Sequence, residues 1–222
     1  MTMSMSMQES LVSATRAHVR SLMEQEGTGH DWWHVDRVRN TAVLIAREED
    51  ADVVIVELSA LLHDIADWKF HNGDFEAGAR VSRVWLESQQ AEATVVDRVC
   101  DIVRHVSFKG AGVADEMSTI EGKCVQDADR LDAIGAIGIA RAFAYGGHRG
   151  RPIYDPEQTA EFHATVEAYK KRSASTIHHF YEKLLLMKDR LHTSAGKRLA
   201  EQRHAYLEQF LEQFYAEWEG RR

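Results

Sequence analysis

The chain has 222 residues, 44% hydrophobic and 28% charged, with a formal net charge of −8. That is the make-up of a globular domain with a sizeable core, and an acidic chain lacks the basic footprint of a general nucleic-acid binder. No run approaches the roughly 18 apolar residues a membrane span needs, and MTMSMSMQES at the start has no basic n-region or apolar h-region of a secretory signal. Residues 1–7 read as a frayed tail. Helical periodicity then dominates. The spacing predicts a helix over 8–25, with Leu11, Ala14, His18, Leu22 and Met23 inward, ending at Gly27 and Gly29. A second runs over 31–49, with Val35, Val38, Ala42, Ile45 and Ala46 inward, and a third over 51–66. Asp74 is placed to cap a fourth helix reaching about 88. A fifth covers about 92–105, a loop follows at 107–118, and helices are predicted at about 118–133 and 134–145. The glycine- and proline-bearing stretch at 145–158 reads as irregular, and 158–219 as helical, with a long amphipathic segment from about Ser194.

With only 2 prolines, little interrupts helix formation, and no stretch alternates as a strand would. The expected fold is all-α, a single multi-helix bundle over 8–222. Its core would span 26–145, with C-terminal helices at 158–219 packed on it. Cys100 and Cys124 are the only cysteines. Two thiols cannot form a four-thiolate zinc site, and both read as small buried apolar groups.

Three stretches place ionisable groups where an apolar core is expected. In GHDWWHVDRVRN, His30 and His34 are four apart and share a helix face. In SALLHDIADWKF, His63 and Asp64 interrupt the apolar run of Leu58, Leu61, Leu62 and Ile65, with Asp67 one turn on from His63. In VQDADRLDAIGAIGIA, Asp127, Asp129 and Asp132 precede small and apolar residues. Burying imidazoles beside carboxylates is unfavourable unless both are satisfied. A divalent cation would satisfy them: imidazole nitrogen and carboxylate oxygen are a common donor mixture. Such an ion lowers the pKa of a coordinated water toward neutrality, and a hard ion favours phosphate oxygens at its open positions.

The order His, His-Asp, Asp resembles the HD superfamily of metal-dependent phosphohydrolases. HVDRV is similar to its first-histidine helix, LLHDIAD to its His-Asp helix and DADRLDAIGAIG to its last-aspartate helix. The resemblance implies His34, His63, Asp64 and Asp129 as metal ligands, Asp129 being the acid that follows Ala128. It also implies one divalent ion rather than two. Manganese or magnesium is expected, with iron, cobalt, nickel or zinc as alternatives. Asp67, four residues after His63, stands where several relatives carry the group that orients or deprotonates the attacking water. It is the expected catalytic residue.

GHDWWHVDRV, LLHDIADWKF, DADRLDAIGAIGIARAFAYGG, RPIYD and HFYEKLL together resemble a bacterial subfamily of small stand-alone HD hydrolases, one member of which is a nucleoside triphosphate pyrophosphohydrolase. That implies a nucleotide substrate cleaved to a monophosphate and pyrophosphate. Lys69, His105, Arg141 and Lys183 are the expected substrate-binding side chains, because phosphoryl chemistry depends on charge neutralisation. The alternatives are a 5′-nucleotidase or phosphodiesterase on the same site, and a nucleotide sensor without turnover. No nucleic-acid or membrane partner is expected, a homodimer is admitted, and a cytoplasmic location is expected.

Overall fold

The structure, a computed structural model, describes residues 4–24, 31–66, 74, 76–106, 116–158 and 175–222. Among the described residues the regular structure is helical, with no strand, so the all-α expectation holds. The helices are α1 (Met5–Met23), α2 (Trp32–Glu48), α3 (Val53–Leu62), α4 (Ala77–Ser88), α5 (Ala93–Val106), α6 (Ile120–Asp132), α7 (Gly135–His148), α8 (Thr176–Glu182) and α9 (Ser194–Trp218). None is long and apolar enough to cross a membrane. By Cα proximity the chain falls into two units, one of residues 1–108 and 115–128, the other of 109–114 and 129–222. The division falls inside α6, between Ala128 and Asp129.

In the first unit α3 is the central element. Ile55, Val56, Leu58, Leu61 and Leu62 are all buried, and Glu57, its one charged residue, is ion-paired to Arg39, so this largely apolar helix must be covered on most sides. It packs against α1, α2 and α5. Its start is fixed by Asp52, whose carboxylate accepts from the backbone N–H groups of Val54 and Ile55 at 3.2 and 3.3 Å. That satisfies two of the donors a helix N-terminus leaves open. Asp31 does the same for α2, accepting from His34 N at 2.9 Å. The α4–α5 hairpin turns at Gln90, which has φ 58°. The two helices approach so closely that a Cβ at Gly78 would stand 3.2 Å from Val103 Cγ1. Trp85 of α4 stacks on His18 of α1, ring centres 3.7 Å apart, and its indole N–H donates to Thr15 at 3.0 Å. Cys100 and Cys124 are free and buried, and burial pushes the Cys124 thiol up to about 12.

Two expectations for this unit need correction. Leu22 was expected inward but is exposed; Leu11, Thr15, Val19 and Met23 form the buried stripe of α1. The third helix was expected to continue to Ala66 but ends at Leu62, with His63–Ala66 in a turn. The His63 ring supplies the reason. Its Nδ1 donates to Ala60 O at 2.7 Å, the carbonyl that residue 64 would use to extend the helix. A side chain that occupies a backbone acceptor competes with helix propagation.

The second unit is built around aromatic rings. Phe143 of α7, Phe180 of α8 and Phe210 of α9 lie 5.7–6.0 Å apart between ring centres, within the range of favourable edge and offset packing. Tyr154 adds contacts to Phe214, Tyr215 and Trp218 of α9. Helix α7 was expected to stop at 145 but runs to His148. Gly146 is there for packing rather than termination: a Cβ would fall 2.2 Å from Thr176 Oγ1. The continuous helix expected after 175 is also broken. Lys183 leaves helical geometry (φ −139°, ψ −54°), and two short 3₁₀ turns, Leu184–Leu186 and Lys188–Arg190, precede α9. Leu184, Met187 and Leu191 are buried through these turns. Their three- and four-residue spacing is the helical one, which is why periodicity alone reads straight through.

His179 of α8 gives this unit a pH dependence. Burial, then the charges of Lys183 and Arg151, lowers its pKa to about 3. The unfolded imidazole titrates near 6.5, so the folded value lies below the unfolded one. The stability His179 contributes is present above pH 6.5 and is lost as pH falls toward 3. Urea midpoints measured from pH 7.5 to 4 are expected to fall in the wild type, by a stability on the order of a few kcal/mol from this group, and to fall less in His179→Asn. Parallel profiles in the two proteins would remove His179 as the cause.

Candidate metal centre

Helix α2 presents His34, whose side chain is only 1% exposed. The end of α3 presents His63, 3% exposed, and Asp64 follows in the turn, 9% exposed. The early end of α3 matters here, because a turn lets adjacent residues point to one place, whereas successive helical residues diverge by about 100°. Asp64 Oδ2 stands 3.4 Å from His34 Nε2 and 3.4 Å from His63 Nε2, and the two imidazoles meet edge-on at 5.3 Å between centres.

Asp129 follows Ala128 on α6 and is counted with the second unit. With bonds of about 2.1 Å to one ion, neighbouring ligand atoms stand about 3 Å apart and opposite ones about 4.2 Å. The two 3.4 Å separations of Asp64 Oδ2 from the imidazole nitrogens fit that sphere.

The donor chemistry fits as well. Because a carbonyl can only accept, the 2.7 Å contact to Ala60 O places the His63 proton on Nδ1. In neutral imidazole, Nε2 then carries a lone pair, directed toward a buried carboxylate oxygen. At 3.4 Å the two are longer than the usual 2.9–3.0 Å hydrogen bond, and a cation complements both. A backbone carbonyl bonded to the far nitrogen is also the usual way a metal-binding histidine is oriented.

The other expected site residues lie in different surroundings. His105 of α5 has Nδ1 2.9 Å from Asp101 O, and its ring nitrogens lie 3.5 and 3.9 Å from the carboxylates of Asp101 and Glu116. Arg141 of α7 is bound to Asp132, donating to its carboxylate at 2.7 Å and its carbonyl at 3.2 Å. Lys183 closes α8 beside His179. Asp67 and Lys69 lie outside the described residues. Trp32 belongs to the core: it is 2% exposed and lies beneath the guanidinium groups of Arg16 and Arg20. The sequence reading missed Arg203, half-buried on α9 and bonded to Leu131 O at 2.6 Å. No local motif marks it, since its partner is 72 residues away.

The HD domain family matches residues 32–134, which include all four expected ligands. The Bacillus subtilis protein YpgQ is 41% identical over 201 residues, covering 89% of each chain. The chain belongs to the HD superfamily. HD domains bind divalent metals, and the protein is a metal-dependent phosphohydrolase. An HD-superfamily hydrolase from Bacillus thuringiensis has a crystal structure that superposes with a TM-score of 0.76 and 41% identity, over 96% of this chain and 98% of that one. The crystal structure of YpgQ in complex with ADP superposes with a TM-score of 0.71, over 93% of this chain and 97% of that one. Identity over that superposition is 34%.

Proposed function

We propose that this HD protein hydrolyses ribo- or deoxynucleoside triphosphates to a nucleoside monophosphate and pyrophosphate. The observation that carries the nucleotide assignment is the ADP complex of YpgQ, a relative matched over nearly its whole length. The point of cleavage rests on the subfamily resemblance of the LLHDIADWKF and DADRLDAIGAIG segments. His34, His63, Asp64 and Asp129 hold one divalent ion, manganese or magnesium, with iron, cobalt, nickel or zinc as alternatives. Such an ion supplies Lewis acidity to a phosphate oxygen and acidifies water. Asp67 orients the attacking water and takes its proton. The water oxygen bonds to phosphorus, the P–O bond bridging the α and β phosphates breaks, and pyrophosphate leaves. Lys69, His105 and Lys183 neutralise phosphate charge as it builds.

Chromatography of products from a nucleoside triphosphate with Mn²⁺ tests this. Monophosphate and pyrophosphate in equal amounts are expected. Orthophosphate released from a monophosphate, with triphosphates untouched, would instead make the protein a 5′-nucleotidase.

A further inference from the structure

The last turn of α6 carries Asp129, Arg130, Leu131 and Asp132, and three arginines hold it. A helix C-terminus leaves its last carbonyls without partners in the helix. Here Leu131 O accepts from Arg203 Nη1 at 2.6 Å, and Asp132 O from Arg141 Nη1 at 3.2 Å. The same Arg141 nitrogen reaches the Asp132 carboxylate at 2.7 Å, and Asp132 is only 4% exposed. Arg130 extends from the turn itself, donating to Arg190 O and lying 2.9 Å from His192 Nε2.

The backbone just beyond is shaped to admit one of these side chains. Gly135 has φ +73°, and a Cβ there would meet Arg203 Cγ and Cβ at 3.0 and 3.1 Å. The stem of Arg203 lies against that glycine while its head caps the turn. Cations suit this place, since a helix C-terminus carries partial negative charge. The burial of Arg203 disfavours its charge, and the nearby Asp132 carboxylate offsets part of that cost.

We infer that Arg203 and Arg141 are positioning residues for the metal centre: by capping the Leu131 and Asp132 carbonyls they fix the α6 turn and so the direction in which Asp129 presents its carboxylate. Arg141 therefore acts on the turn rather than on substrate. The inference rests on Asp129 being a ligand, as proposed above. Groups that orient ligands without touching the ion typically change metal affinity about 10–100-fold when removed.

Titration of the folded protein with Mn²⁺, followed by electron paramagnetic resonance of free ion, reads the effect directly. Arg203→Met keeps the stem and deletes the cap. It is expected to weaken Mn²⁺ binding about 10–100-fold, with Arg203→Lys recovering part of the loss. The Mn²⁺ concentration for half-maximal activity should rise while kcat at saturating Mn²⁺ stays near wild type. In an Asp129→Asn background, Arg203→Met should add no further loss, because both changes act through one carboxylate. Wild-type Mn²⁺ affinity in Arg203→Met, with only a lower melting temperature, would overturn the inference. Should Arg203→Met fail to fold, Arg141→Met carries the same test: weakened Mn²⁺ binding supports the clamp and unchanged binding overturns it. If Asp129→Asn alone keeps wild-type Mn²⁺ affinity, the ligand assignment fails, and with it the premise rather than the clamp.

Discussion

His63→Ala is expected to lose metal and hydrolysis together. The ring does two jobs. Its Nδ1 holds Ala60 O and ends α3 at Leu62, and its Nε2 faces the same Asp64 oxygen as His34 Nε2. Alanine removes a ligand, and it also frees the Ala60 carbonyl to extend the helix. Extension would swing Asp64 away from its place. Metal content of the purified variant should fall to background, and kcat/KM by more than the roughly 10²–10³-fold typical of deleting one stabilising group in an active site. The melting temperature of wild type should rise on adding Mn²⁺, because an ion that binds only the folded state stabilises it. The variant should show no such rise. A variant that keeps metal and that response would remove His63 from the ligand set.

Asp67→Asn is the second large effect, and it should look different. Asparagine keeps the size and a hydrogen-bonding group but cannot take a proton near neutrality. General-base roles contribute about 10²–10⁴-fold in rate, so kcat is expected to drop by that factor. Metal content should stay at the wild-type level, since Asp67 is not among the proposed ligands. Near wild-type kcat at saturating Mn²⁺ would leave Asp67 with no role in proton transfer. Loss of the ion would make it a ligand and leave the base to be found elsewhere.

The helices were legible because their signals are local. The apolar residues of α2 recur at helical spacing, and its predicted start at Asp31 is its cap. The fold departs from that reading where distant or side-chain contacts decide. The end of α3 depends on a histidine ring bonding to a backbone carbonyl. The 3₁₀ turns after Lys183 keep Leu184, Met187 and Leu191 buried at a spacing a helix would also give. Gly146 sits inside α7 because Thr176, thirty residues on, lies against it. The same contrast holds at the site. His34, His63, Asp64 and Asp129 could be proposed as ligands because each is an ionisable residue in an otherwise apolar or small-residue segment, and together they resemble a family order. Arg203 could not, because nothing in its own helix says that its head group caps a turn 72 residues earlier.

The largely apolar surface of α3 has a consequence for the chain as it is made. Translation at about 5–20 residues per second delivers Val53–Leu62 several seconds before Ala93–Val106, part of its eventual cover. In that interval Ile55, Val56, Leu58, Leu61 and Leu62 have only α1 and α2 to lie against, and a nascent chain in this state is open to misassociation and to chaperone capture. His63 and Asp64 emerge at the end of this same segment, and Asp129 later still. The growing chain thus carries a partial set of metal donors next to its stickiest surface. The full set, with the binding energy it commands, is available only after more than half of the protein has been synthesised.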